Sequence, residues 1–235
     1  MKVGILFSGG KDSCLAIETA RGKGWEIAYL LSVKPTRRDC YLFHYATVEL
    51  TKELANILGI PHIYTSCDVA DVKKEAQIVY DIVKKNPVDA ILLGGIGLQE
   101  TQIKAIRDVL FPLGVEVFAT HTGLNHEDIL RDMVMRGYEI LITEVAADGL
   151  DKEWLGKKID IRTLPDLKKA SEKFGFHIGF EGGHANTLVL GGPIFNKSIK
   201  VLENEKIMDG EFSGFLKINK YTVMEKYVGA VVRAQ

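Results

Sequence analysis

Six residues near the start of the chain, Ser8-Gly9-Gly10-Lys11-Asp12-Ser13, bring together the groups that hold a phosphate: two glycines, an ammonium and two hydroxyls. An apolar run from Lys2 to Phe7 precedes them and suits a strand covered on both faces. A helical pattern from Ser13 to Ala20 follows, so the helix N-terminus points its unpaired N–H groups and positive dipole end back over the strand. With no Cβ at Gly9 or Gly10, an oxyanion can approach those donors closely. Lys11 adds a point charge, and Ser8 and Ser13 add hydroxyl donors. Two familiar templates fail. A Walker A loop needs Ser or Thr directly after its lysine and a glycine six positions before it, and a dinucleotide fingerprint needs Gly-x-Gly-x-x-Gly. The plain alternative is a glycine-rich turn whose helix is capped by Asp12 or Ser8.

A second polar concentration lies far downstream. Gly179-Phe180-Glu181-Gly182-Gly183-His184-Ala185-Asn186-Thr187 runs into the apolar Leu188-Val189-Leu190, placing Glu181, His184, Asn186 and Thr187 within seven positions. That is dense polar equipment for a turn without a task, although a tight turn would also use the glycines. The stretch from Ala146 to Asp151 reads more simply as a surface turn. His121 and His126 match no recognised metal spacing, His62 and His177 read as structural, and Cys14 reads as a small buried packing residue on the first helix.

The elements that must position these groups alternate regularly through the first half. Strand patterns at Glu26 to Val33, Pro61 to Thr65, Val88 to Leu93 and Val115 to Ala119 are separated by helical patterns. Those helices span Ala46 to Leu58, Val69 to Lys85 and Gln99 to Leu110, and a further one covers Asn125 to Arg136. Such spacing predicts an α/β fold, a doubly wound parallel sheet with helices on both faces. Ligands in such sheets bind beyond the carboxyl ends of the strands, which puts Ser8 to Ser13, Ser32-Val33 and Gly94-Gly95-Ile96-Gly97 at one rim. From about residue 137 the pattern becomes strand-rich and irregular: a strand at Glu139 to Val145, a loop from Ala146 to Asp160, a helix near Pro165 to Phe174, then short strands. Two domains are expected, 1–137 for the ligand and 138–235 as a smaller α+β domain.

Bulk properties exclude several classes. Of 235 residues 46% are hydrophobic, enough for a sizeable core, and 30 basic against 31 acidic residues give a net charge of −1, so no global field attracts nucleic acid. The three cysteines, Cys14, Cys40 and Cys67, lie far apart and form neither a disulfide framework nor a zinc ribbon. No apolar run approaches the ~18 residues that span a bilayer, and no signal peptide is evident. A cytoplasmic, soluble protein is expected, with no membrane or nucleic-acid partner, and a homodimer is one option for its assembly.

SGGKDS resembles the PP-loop of the N-type ATP pyrophosphatases, which hold ATP by its phosphates and cleave it between the α and β positions. The whole chain resembles the diphthine–ammonia ligase family within that superfamily. The likeness rests on this loop, Cys40-Tyr41-Leu42-Phe43-His44, Gly149-Leu150-Asp151 with Trp154-Leu155-Gly156, Glu181-Gly182-Gly183 with Thr187, and Gly192-Pro193-Ile194-Phe195. It implies a sheet of the adenine nucleotide α-hydrolase type and an enzyme that uses ATP to adenylate the carboxylate of diphthine on elongation factor 2. Ammonium then supplies the amide nitrogen, releasing AMP. By that resemblance Lys11, Asp12 and Glu181 are catalytic, with Asp12 near Mg²⁺ because a carboxylate would otherwise repel a triphosphate. ATP would contact Ser8, Gly9, Gly10, Lys11, Asp12, Ser13, Ser32, Val33, His44, Gly94 and Gly95. The acceptor would meet Glu181, Gly182, Gly183, His184, Asn186 and Thr187. The second motif departs from the family pattern, which reads Gly-Glu-Gly-Gly-Glu-aromatic-Glu/His-Thr: Phe180 replaces the first glycine, His184 the second glutamate and Ala185 the aromatic residue. Relatives acting on another carboxylate or on transfer RNA, and a nucleotide sensor without catalysis, are the competing readings. The lack of cysteine pairs and the intact Lys11-Asp12-Ser13 count against the last two.

Overall fold

The computed structural model of the chain describes residues 1–95 and 100–226. Its first half is a parallel sheet of β1 (Lys2–Leu6), β2 (Glu26–Pro35), β3 (His62–Cys67), β4 (Ala90–Leu93) and β5 (Glu116–Ala119), in the order β3-β2-β1-β4-β5. The central runs β1, β2 and β4 are covered on both faces, whereas the edge strands β3 and β5 are only partly buried. Helices α1 (Lys11–Gly22) and α2 (Thr51–Leu58) contribute to one buried cluster, and α3 (Val72–Lys85) and α4 (Glu100–Leu110) to another. Leu30 belongs to the first cluster and Leu31 to the second, as the two-residue period of a strand requires. The doubly wound α/β sheet is the expected one.

The strand order reverses between β1 and β4, and there the carboxyl ends open a crevice. Ser8 to Ser13 leaves β1 at that point and Gly94 leaves β4. A Cβ on Gly94 would lie 2.5 Å from the Asp12 carbonyl carbon, so only glycine lets the end of β4 press against the first turn of α1. Of the glycine loop expected here, Gly94 and Gly95 are described. Ile96, Gly97, Leu98 and Gln99 lie outside the described residues.

The second half forms an antiparallel sheet. Strand β6 (Glu139–Ala146) pairs with β8 (Ala185–Gly191), with β7 (Lys158–Ile159) and with β10 (Ser213–Glu225), which continues to β9 (Lys197–Met208). Two helices, α5 (His126–Met135) and α6 (Leu164–Phe174), complete this half. The strands after α6 are thus longer than expected, and β7 interrupts the loop expected from Ala146 to Asp160. One buried cluster runs from β1 and α1 through Leu130 and Met133 of α5 into β6 and β8, so the second sheet shares the α1-side core.

The expected helix from Ala46 starts late. Thr47 sits at φ 60, in the left-handed region, and a 3₁₀ turn at Val48–Leu50 intervenes before α2. The preceding loop is held from across the sheet edge. Glu75 of α3, fully buried, accepts the backbone N–H of Tyr41 at 3.1 Å and of Leu42 at 2.7 Å. Glu75→Ala would leave the buried Leu42 amide and the partly buried Tyr41 amide without partners, an expected loss of about 2 kcal/mol. Glu75→Gln, retaining one acceptor oxygen, should recover part of that. Urea denaturation of the two variants, with amide exchange at Tyr41 and Leu42, tests the assignment, and equal stability of Glu75→Ala and the parent would refute it.

Candidate active site

The Ser8–Ser13 loop is seated on the second sheet rather than left open. Val189 N–H donates to Gly9 O at 2.8 Å, and Lys11 N–H donates to Thr187 Oγ1 at 3.2 Å. A Cβ on Gly10 would lie 2.9 Å from Thr187 O, and Gly9 holds φ +78 against Leu54 and Leu188. Thr187 therefore caps α1 from another element, since Gly10 has no side chain to do so. Gly10 N–H turns onto Ser8 Oγ at 3.3 Å, and Ser13 Oγ donates to Gly10 O at 3.0 Å. The loop amides of Gly10 and Lys11 are thus already engaged, contrary to the expectation of unpaired donors.

Lys11, 3% exposed, places Nζ 2.6 Å from Asp12 Oδ2. Burial alone would raise the Asp12 carboxyl, but the Lys11 ammonium outweighs it and holds Asp12 below the usual carboxylate range. Histidines surround this pair. Burial pushes His44, His121 and His177 down, and it carries His126 down to about 4 with help from the Lys11 charge. His126 Nε2 lies 3.6 Å from Glu181 Oε1, both side chains being 2% exposed. Asp12, His126 and Glu181 each present a ligand atom within 4.8 Å of the others.

Two cavities meet at Ser8 and Asp12. One is of mixed polarity, lined by Leu6, Phe7, Leu31, Val33, Leu42, Phe43, Val48 and Leu93 together with Ser8, Asp12, Ser13, His44, Gly94 and Gln102. The other joins Ser8, Gly10, Lys11, Asp12 and His44 to Glu181, Ala185, Asn186 and Thr187. The structure thus brings the two polar stretches of the sequence to one cleft. Asn186 is held there by donating Nδ2–H to Glu144 Oε2 at 2.7 Å. Ser32 is turned inward, its hydroxyl donating to Phe7 O at 2.6 Å and meeting His62 Nε2 at 2.9 Å, so only its neighbours Leu31 and Val33 line the cavity. Gly182 and Gly183 are exposed. The His184 ring accepts the His177 backbone N–H at 3.3 Å and lines neither of these two cavities.

Four further residues shape the site: Glu75, His126, Gly179 and Glu144. Glu75 could have been found from its i, i+4, i+8 phase with Val79 and Val83 on the buried stripe of α3. His126 carries no local signal, because its partners come from α1 and from the loop after α6. Phe180, where the family pattern has glycine, holds φ 64 and packs against Phe176 with ring centroids 6.3 Å apart. A left-handed conformation penalises any Cβ by about 1 kcal/mol.

Two stability measurements follow from this geometry. Both Phe180→Ala and Phe180→Gly lose the buried ring, yet Phe180→Gly should be the more stable by about 1 kcal/mol in denaturant, the reverse of the usual order. His44, His62, His121, His126 and His177 all lie below their ordinary 6.5 in the folded chain. The unfolded chain therefore binds more protons as pH falls below 6.5, and stability is lost toward pH 4. Denaturation midpoints should climb from pH 5 to about 6.5 and then level off, whereas a flat profile would contradict the neutral assignment.

Sequence comparison relates the chain to known proteins. Residues 1–117 match the family described as the diphthamide synthase N-terminal domain, and residues 125–224 match the diphthamide synthase C-terminal domain. The chain is similar to the protein named diphthine–ammonia ligase of Mus musculus, at 27% identity over 96% of this chain and 94% of that one. It is also similar to the Homo sapiens protein of that name, at 29% identity over 88% and 85%, and to that of Danio rerio, at 29% over 96% and 98%. The chain therefore belongs to the diphthamide synthase family and is an enzyme of the carbon–nitrogen ligase class that the names of these relatives describe.

Proposed function

We propose that this enzyme is an ATP-dependent ligase that converts a carboxylate to an amide with ammonia, the acceptor being diphthine on elongation factor 2. One observation carries the reading: the phosphate-type loop and the Glu181–Thr187 segment face each other across a single cleft, joined by Lys11 N–H to Thr187 Oγ1 and Val189 N–H to Gly9 O. A nucleotide held on one wall would then present its α-phosphate to a carboxylate arriving along the other.

The cavity beside β2 would take the adenine ring, offering it the apolar side chains of Val33 and Leu42 among its lining. From there the phosphates run toward Ser8, Lys11 and Ser13. The acceptor carboxylate oxygen attacks the α-phosphorus, the bond from that phosphorus to the bridging oxygen breaks, and pyrophosphate departs with its charge facing Lys11 Nζ. For Lys11 to serve so, Nζ must shift part of its bond from Asp12 to the phosphate. Ammonia then attacks the acyl carbon and AMP leaves, while Glu181, 3% exposed and on the acceptor wall, is placed to take the proton the nitrogen gives up. Positioning supplies much of the rate, since both walls are anchored by backbone and cap hydrogen bonds.

A divalent cation fits this arrangement. Asp12 Oδ1 is buried and has no hydrogen-bond partner among the described residues, and it shares a cavity with the Ser8 and Ser13 hydroxyls, an oxygen donor set that suits Mg²⁺. Asp12 would hold the ion, which would neutralise charge growing on the leaving phosphates.

Incubating the protein with ATP, Mg²⁺, ammonium and diphthine-bearing elongation factor 2 should yield AMP and amidated factor in equal amounts. Amidation without AMP, or AMP only with another acceptor, would overturn the respective half of the reading. Lys11→Ala and Asp12→Ala should each slow AMP formation by about 100-fold or more, and undiminished rates in both would remove the loop from the chemistry.

A further inference from the structure

The group formed by the partly buried Asp12 and the buried His126 and Glu181 asks for more than the oxygen chemistry of magnesium. The three side chains come from the first turn of α1, the first residue of α5 and the loop after α6, and their ligand atoms all lie within 4.8 Å of one another. The His126 side chain is 2% exposed, and Nε2 makes no hydrogen bond among the described residues. An unpartnered imidazole nitrogen at that depth is costly unless something fills the space it faces.

The ring is also held in place. A Cβ on Gly179 would fall 2.1 Å from His126 Nδ1, so only glycine at 179 leaves room for the imidazole. His177 packs edge-on at 5.0 Å between ring centroids. Across the group, Gly95 at φ +94 leaves just enough space for Glu181, since a Cβ there would stand 3.1 Å from Oε1. Lys11 Nζ occupies Oδ2 of Asp12 and leaves Oδ1 facing inward.

We propose that Asp12, His126 and Glu181 form a binding site for a divalent transition ion of the Mn²⁺ to Zn²⁺ class, in preference to Mg²⁺. The inference rests on the functional reading only in taking Asp12 as a carboxylate that faces a cation; with this ion bound, Asp12 would serve it in place of Mg²⁺, and Glu181 would be a ligand and not the proton acceptor. Two donors about 2.1 Å from a common centre and 3.6 Å apart subtend about 120°, within the range of four- and five-coordinate metals. An ammonium ion, with donor–acceptor distances near 2.9 Å, would need an angle below about 80° between the same two atoms, too acute for its tetrahedral hydrogens. One imidazole with two carboxylates is a borderline donor set, whereas Mg²⁺ favours oxygen alone. Three protein ligands leave a position open toward the cleft of Ser8, Gly10 and Thr187, where an oxyanion can complete the coordination.

The full-length protein, stripped with chelator and free of nucleotide, is titrated calorimetrically with MnCl₂, ZnCl₂ and MgCl₂. One equivalent of Mn²⁺ or Zn²⁺ should bind at least about tenfold more tightly than Mg²⁺. Pulsed electron paramagnetic resonance of the Mn²⁺-loaded parent should show coupling to an imidazole ¹⁴N, a readout that needs no variant to fold. His126→Gln should lose that coupling and at least about tenfold in Mn²⁺ affinity, while His121→Gln, beside the group but outside it, should keep both. Absence of binding, Mn²⁺ bound without nitrogen coupling, or His126→Gln binding as the parent does would each overturn the site. Because no ATP is present, the result is independent of whether the protein forms AMP.

Discussion

The seating of the Ser8–Ser13 loop on β8 is the constraint on which the rest of the site depends. Two hydrogen bonds make it, Val189 N–H to Gly9 O and Lys11 N–H to Thr187 Oγ1, and the glycines at 9 and 10 permit it by leaving no Cβ between the two backbones. The contact ties a loop of the parallel sheet to a strand of the antiparallel one, separated by 176 residues in the case of Lys11 and Thr187. Once the junction forms, the cleft has fixed walls and the buried apolar cluster runs continuously from α1 into β6 and β8. Thr187 thus reads differently in three dimensions: it is the missing cap of α1, supplied from outside the helix.

A buried ammonium and a partly buried carboxylate beside this junction set the electrostatics of the cleft. Lys11 and Asp12 offset each other at 2.6 Å, and the surrounding histidines stay neutral because desolvation and the Lys11 charge both disfavour protonation. The neutral His126 ring leaves a nitrogen lone pair close to the Asp12 and Glu181 carboxylates. Any anion that engages Lys11 Nζ must compete with Asp12 Oδ2 for it. The loop is therefore poised rather than open, its amides of Gly10 and Lys11 already engaged.

The departures in the second motif have separate physical meanings. Phe180 stands where the backbone enters the left-handed region, where a glycine would be free of strain, and its ring packs on Phe176. His184 has turned to the His177 amide, which removes it from the cleft and assigns it to holding the loop. Asn186 and Thr187 face the cleft, with Asn186 held by Glu144, a residue of β6 that sits opposite it in the antiparallel ladder.

What the sequence determined by itself is local: the apolar runs of period two and the helical stripes dictate a doubly wound sheet, and the order of strand, glycine pair and helix dictates a phosphate-type loop at its rim. Its motifs also carried the family. These features depend on neighbours within about one turn or one strand, so they are legible in the order of residues. Tertiary structure decided the rest, because those partners meet only when distant segments pack. It placed His126 beside Asp12 and Glu181, turned Ser32 and His184 away from the cavities, lent Thr187 to α1, and buried Glu75 under the loop that carries His44. A histidine's spacing along the chain says nothing about a carboxylate that reaches it from another element, and only the packing of the second sheet on α1 brings the three together.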